Sequence, residues 1–199
     1  MAHEVCSNQK FYAFRCLSGC ARGAIADFVG NGNYFGLNMS TGGFTSQQLL
    51  DEESALQLPS LSNSDAIEIG EIATSIAKER NLPIAVEVRI GDWIVYHASL
   101  PGSKPDNDWW ISRKARVVQL TKHSTMYERV QAEERSADWH AEHGVVDETH
   151  AIHGGGIPLN VRKAGFQGTL IISGLPQVQD HLLGVEILTE FLARRGEVL

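Results

Sequence analysis

One strictly alternating stretch, interrupted by a single Gly-Asp pair, most constrains how this chain folds. Residues 84–90 read IAVEVRI and residues 93–99 read WIVYHAS. Alternation with a period of two is typical of a strand with one buried face, and a two-residue spacer that begins with glycine favours a tight hairpin. The simplest register sets Val86 opposite His97, which predicts that the imidazole points to the apolar side of the sheet.

The rest of the pattern predicts helices around two hairpins. The predicted elements are a helix capped by Ser64 or Asp65 and ending near Arg80, a helix from Trp109 capped by Asn107 or Asp108, a more polar helix over 124–142, a second hairpin turning at 163–165, and a last helix starting at Pro176. This order predicts an α+β fold, in which a single-domain antiparallel sheet of two hairpins is covered by about four helices.

Composition limits the classes of partner. The 199 residues, 43% of them hydrophobic, suffice for one core. A formal charge of -7 argues against binding to nucleic acid, because no basic excess is available to displace counterions. Because the chain has no apolar run long enough to cross a bilayer, we expect a cytoplasmic protein without membrane insertion.

The N-terminal region differs in composition from the rest. We expect residues 1–40 to be a variable or disordered extension and residues 41–199 to be the domain. A mitochondrial transit segment and a true start at Met39 are the alternatives for the leader. Cys6, Cys16 and Cys20 are interpreted as free thiols, since their spacing fits neither a disulfide framework nor a zinc motif.

Three strings place polar groups at tight bends: HASLPGSKPDND (97–108), HGGGIPL (153–159) and SGLPQVQDH (173–181). The glycines of HGGG are expected to allow a close approach of a neighbouring backbone or a ligand. A hydrolase is disfavoured because the chain has no GxSxG nucleophile elbow. No motif pairs a nucleophile with a base, so whether the protein is an enzyme stays open.

With their order and spacing, these strings resemble the cytosolic branch of the haem-degrading, HbpS/GlcG-like domain family over about residues 48–194. The resemblance implies a profilin-like sandwich that assembles into symmetric homo-oligomers. It also implies a chaperone or co-chaperone as partner, linked to the delivery of tail-anchored membrane proteins. The cofactor is left open, and haem is the candidate.

Candidate site residues follow from the motifs. Those assigned to ligand binding are His97, Asn107, Asp108, Arg113, Lys114, His153, Gly154, Gly155, Ser173, Asp180 and His181. For a haem, a histidine would be the axial ligand and Arg113 and Lys114 would pair with the propionates. The alternative is that the histidines satisfy backbone groups and that the two cations pair with acidic side chains within the protein. Trp109 and Trp110 are predicted to form an oligomer interface.

Two further features leave alternatives open. His140, His143, His150 and His153 are spaced so that a divalent metal site is chemically feasible, although capping of helix carbonyls is favoured. For function, we favour a non-catalytic oligomeric adaptor. The alternative is a domain that binds or degrades haem or another small molecule, with redox activity.

Overall fold

The computed structural model describes residues 41–197, which build one four-stranded antiparallel sheet between helices. In chain order the elements are α1 (Ser46–Ala55), α2 (Asn63–Arg80), β1 (Ala85–Ile90), β2 (Trp93–Ser99), α3 (Pro105–Thr121), α4 (Thr125–Arg135), α5 (Trp139–His143), β3 (Gly156–Val161), β4 (Gly165–Ser173) and α6 (Gln177–Arg194). The strand order is β2-β1-β4-β3, so the α+β prediction with two hairpins is confirmed. The predicted extension over residues 1–40, with its three cysteines, lies outside the described residues.

The sheet is covered on both faces, which the alternation in β1 did not predict. Val86 and Val88 contribute to the main core under α2 and α6, which also contains Leu170 and Ile172 of β4. On the opposite face, Ala85 packs in a smaller cluster made with apolar residues of α3 and β4. The polar face of β1 is therefore buried as well, because α3 crosses it. No described helix is long and apolar enough to cross a membrane.

The predicted register of the first hairpin is wrong by one residue beyond a bulge. A shift between Val88 and Arg89 pairs Glu87 with His97 and Val86 with Ala98. Because side chains alternate along a strand, one extra residue turns His97 away from the main core and onto the face of α3. The imidazole lies beside the Glu87 carboxylate instead of on the apolar side.

Helix boundaries differ from the prediction for identifiable reasons. α3 begins at Pro105, four residues before Trp109, because proline suits the first turn of a helix and Asn107 accepts a hydrogen bond from the Lys104 N–H at 2.7 Å. The predicted helix over 124–142 is two helices, since Ser136 takes a left-handed conformation and Asp138 caps α5. α1 was not predicted, because it buries only Leu49 and Glu53 and so shows little apolar periodicity.

Candidate functional site

The three motifs meet at one cleft. It has a volume of about 220 Å³ and lies between the start of α3, the segment that leads into β3, and the turn that joins β4 to α6. Its lining residues are Asp106, Asn107, Trp110, Lys114, His153, Ser173, Gly174, Leu175, Gln177 and Asp180. The cleft therefore joins residues from positions more than 70 apart in the chain, and each of the three strings contributes to it.

A buried ion pair lies at the cleft. Lys114 Nζ donates to Asp180 Oδ2 at 2.9 Å and to the Ile172 carbonyl at 2.8 Å. Both side chains are 3% exposed. Burial lowers the pKa of the Lys114 amine and raises the pKa of the Asp180 carboxyl. Asp180 Oδ1 also accepts the Leu175 N–H at 3.0 Å, so the carboxylate fixes the turn that opens α6.

The glycines of HGGG allow the close approach that was expected of them. A Cβ on Gly154 would lie 2.3 Å from the Gln177 carbonyl oxygen, and a Cβ on Gly155 would lie 2.4 Å from that of Ile172. Gly155 also has a φ of +111°, a backbone conformation that residues with a side chain rarely adopt. Any larger residue in this segment would therefore separate the loop from β4 and from the start of α6.

His153 is the only histidine among the cleft-lining residues, and its Nδ1 is buried without a hydrogen-bond partner. Its ring contacts the Trp110 ring edge-on, with centroids 4.9 Å apart. Burial is the largest cause that lowers the pKa of His153, and the nearby cations Arg129 and Lys114 lower it further. The lowered pKa favours the uncharged imidazole at neutral pH, and the ring retains hydrogen-bonding capacity.

The first turns of α3 form one wall of the cleft. Trp110 Nε1 donates to Asp106 Oδ2 at 3.2 Å, which orients the indole along the cleft. Asn107 Nδ2 lies 3.5 Å from Ser173 Oγ, and this contact ties α3 to the end of β4. Most of the lining is thus polar, with Trp110 and Leu175 as the large apolar surfaces.

Two predicted ligand residues form a separate group on β2 and α3. His97 Nδ1 lies 3.3 Å from Glu87 Oε2, and His97 Nε2 lies 3.5 Å from Asp108 Oδ1. Glu87 also binds Arg89, with Nε 2.6 Å from Oε1. None of these four residues lines the cleft, so the structure separates His97 and Asp108 from the other candidates.

Arg113 does not face the cleft either. Its side chain is 1% exposed, and its guanidinium donates to the Asp147 carbonyl and pairs with Asp147 Oδ2 at 2.8 Å. The same group lies over the rings of Trp109 and Trp110, 4.1 and 4.4 Å from their centroids. The prediction that Arg113 pairs with a bound carboxylate is therefore unsupported, whereas an internal role agrees with these contacts.

His181 lies within α6 and away from the cleft. The side chain is fully buried, its ring contacts Phe44 edge-on, and its Nε2 lies 2.8 Å from Glu52 Oε1. The direction of this contact does not meet hydrogen-bond geometry, so neither ring nitrogen has a hydrogen-bond partner. His181 therefore connects α6 to α1 and the preceding segment instead of lining the cleft.

The spaced histidines do not converge. His140 Nε2 lies 2.8 Å from the His150 carbonyl oxygen, and His143 Nδ1 lies 2.8 Å from that of Trp139. These contacts agree with the capping alternative. Within residues 41–197, no group of three or more histidine, cysteine, aspartate or glutamate side chains is placed to hold a metal ion.

Several cleft residues were not predicted as ligand-binding. Asp106, Gly174, Leu175 and Gln177 were missed, and Trp110 was assigned to an oligomer contact instead. All but Trp110 lie inside the three motif strings, and Trp110 follows the first string by two residues. Treating each string as a whole, instead of selecting its histidines and charges, would have identified them.

Comparisons with known proteins agree on one family. Residues 61–189 match the family model described as haem degrading protein HbpS-like. A UPF0303 protein of Streptomyces avermitilis is 39% identical over 150 residues, covering 75% of this chain and 92% of the relative. A UPF0303 protein of Brucella anthropi is 35% identical over 148 residues, covering 74% and 87%.

Solved structures share the fold. The crystal structure of the Ybr137w protein has a TM-score of 0.69 and 27% identity, covering 78% of this chain and 91% of that one. A PduOC:heme complex, at 20% identity and a TM-score of 0.56, covers 65% and 94% and shows the fold alone. The chain therefore belongs to the HbpS-like family, as the three motifs predicted.

Proposed function

We propose that this protein binds a small, uncharged polar molecule in the cleft between α3, the HGGG segment and the start of α6. The observation that carries the proposal is the convergence of three distant motifs on a cleft where His153 Nδ1 is buried without a partner. Buried polar groups are normally satisfied, so an unpartnered nitrogen on a residue that lines a cleft suits a ligand.

The charges of the cleft favour a neutral ligand. Asp106 and Asp180 supply two carboxyl groups, Lys114 supplies one amine, and the lowered pKa of His153 favours its uncharged form at neutral pH. An anion would face these carboxylates, whereas a cation would compete with Lys114 for Asp180. The volume of about 220 Å³ lies below the range of roughly 300–1,000 Å³ that is common for drug-sized ligands. The cleft therefore suits a molecule smaller than a typical drug-sized ligand.

A haem does not fit these residues. The cleft is small and most of its lining residues are polar, whereas a haem needs a large apolar slot and an axial ligand. Of the three histidines considered as axial ligands, only His153 lines the cleft, and Arg113 is already paired with Asp147. Titration with haemin is therefore expected to leave its Soret band broad; a sharpened band that is lost in His153→Ala would contradict this expectation.

Saturation-transfer NMR tests the proposed binding, with glycolaldehyde, acetone and acetate as probes. We expect stronger signals from the two uncharged probes than from acetate, and we expect Trp110→Ala to reduce them. Trp93→Ala is the matched control, because Trp93 is 61% exposed on the edge strand and does not line the cleft. Equal signals in both variants, or a stronger response to acetate, would count against the proposal.

An oligomeric role is a second proposal, and it concerns Trp109. This side chain is 47% exposed although it lies beside the buried Arg113, and an exposed tryptophan is typical of a contact between subunits. We expect Trp109→Ala to give a smaller species than the parent in light scattering. An unchanged mass in Trp109→Ala would contradict the contact. The adaptor role stays a prediction from the motifs, and a chaperone partner stays a prediction from the sequence resemblance.

A further inference from the structure

The Lys114 amine can donate one more hydrogen bond than its contacts within the protein use. Its two acceptors, Ile172 O and Asp180 Oδ2, use two of the three N–H groups of an ammonium. Lys114 also lines the cleft, so the remaining position on Nζ is available to a bound molecule. The other described lysines, which are Lys78, Lys104, Lys122 and Lys163, are all exposed.

The HGGG segment closes one side of the amine. A Cβ on Gly155 would lie 2.9 Å from Lys114 Nζ and 2.8 Å from Asp180 Cβ, so this glycine packs directly against the ion pair. The remaining position on the nitrogen is therefore on the side of the cleft, which Lys114 lines. His153 precedes this glycine by two residues and lines the same cleft with an unpartnered Nδ1.

Resting on the proposed function, we propose that Lys114 is an amine nucleophile that forms a Schiff base with a small aldehyde or ketone bound in the cleft. A proton passes from the Lys114 ammonium to Asp180 Oδ2, and the free amine adds to the carbonyl carbon while the carbonyl electrons move to oxygen. A proton then moves from nitrogen to that oxygen, which gives a neutral carbinolamine.

Water leaves in the second half of the reaction. The Asp180 carboxyl returns its proton to the carbinolamine hydroxyl, water departs, and a protonated C=N bond forms on Nζ. The balance is one ammonium and one carbonyl compound giving one iminium ion and one water, with no oxidant or reductant. The iminium ion keeps the positive charge beside the Asp180 carboxylate, so the buried pair is preserved throughout.

Burial supports this chemistry. It lowers the pKa of Lys114 and raises that of Asp180, so both changes ease the transfer of the proton from nitrogen to oxygen. Lysines activated as nucleophiles are commonly desolvated in this way. The exposed lysines lack this desolvation, which gives the test its contrast.

The test is reductive trapping of the protein with glycolaldehyde and sodium cyanoborohydride at pH 7, followed by peptide mapping. We expect an adduct at Lys114 that forms at least about tenfold faster than at Lys122, because burial lowers the pKa of the Lys114 amine and leaves more of it unprotonated. Lys114→Arg keeps the positive charge but lacks the nucleophile, and should lose this adduct. Lys122→Arg, at the end of the same helix, is the matched control and should keep it.

The saturation-transfer signal and the adduct together separate the proposed nucleophile from the proposed binding function. If glycolaldehyde gives a saturation-transfer signal that depends on Trp110, but adducts form only on exposed lysines, the nucleophile is refuted and the proposed binding function stands. If the parent shows neither the signal nor the Lys114 adduct, both are refuted. Circular dichroism monitors folding of Lys114→Arg; should that variant unfold, the relative rates at Lys114 and Lys122 in the parent protein decide.

Discussion

Arg113 and Lys114 are neighbouring cations on α3 that are both buried and contact different partners. Arg113 is enclosed by Trp109 and Trp110 and bound to Asp147, whose side chain is 59% exposed. Lys114 points to the cleft and is bound to Asp180, which is 3% exposed. The difference lies in what each cation keeps when its carboxylate is removed. Arg113 keeps the Asp147 carbonyl and two tryptophan rings, whereas Lys114 keeps only the Ile172 carbonyl.

Removal of the Asp180 carboxylate should produce the largest effect. Asp180→Ala leaves the Lys114 amine buried without its charge partner, so we expect the free energy of unfolding to fall by about 3 to 5 kcal/mol. Urea denaturation measures the change. The double variant Lys114→Met with Asp180→Ala removes the unpaired amine and should be more stable than Asp180→Ala alone; if it is less stable, the loss does not come from the unpaired charge.

Removal of the Asp147 carboxylate should have a much smaller effect. In Asp147→Ala the Arg113 guanidinium keeps the backbone carbonyl of residue 147 and both tryptophan rings. Because these contacts to the buried guanidinium remain and the lost carboxylate is largely exposed, we expect a smaller loss than in Asp180→Ala, of about 1 kcal/mol, under the same conditions. A cost equal to that of Asp180→Ala would remove the distinction between the two sides of α3.

The sequence predicts the sheet better than it predicts the site. Both hairpins follow from alternation and turn residues, which are local properties. The β-bulge after Val88 has no comparable signal, and that single insertion moved His97 from the expected face to the side of Glu87. Arg113 and Lys114 could not be distinguished either, because their roles depend on Asp147 and Asp180, which are 34 and 66 residues away.

Convergence of the motifs was predictable for a different reason. Glycine and proline bends place chain segments at the ends of strands and helices, and two such ends meet where β4 turns into α6. The prediction failed for His181 because a helix follows that bend, and the ring at this position of α6 faces α1. A motif therefore indicates where a cleft forms, while helix rotation determines which of its side chains enter it.

The smallest effect we predict concerns His153, which extends the comparison from the ion pair to a neutral group of the cleft. Burial holds the pKa of His153 in the folded protein below its ordinary value of 6.5, so the unfolded chain binds a proton more readily. The difference in the free energy of unfolding between the parent and His153→Gln should be constant above about pH 7.5. It should fall as the pH drops through about 6.5 and should level off below the pKa that His153 has in the folded protein. Urea denaturation of both proteins between pH 5 and 8 measures this difference. A relative stability that rises on acidification would show that protonated His153 gains a carboxylate partner, and would make the cleft a site for charged ligands instead of neutral ones.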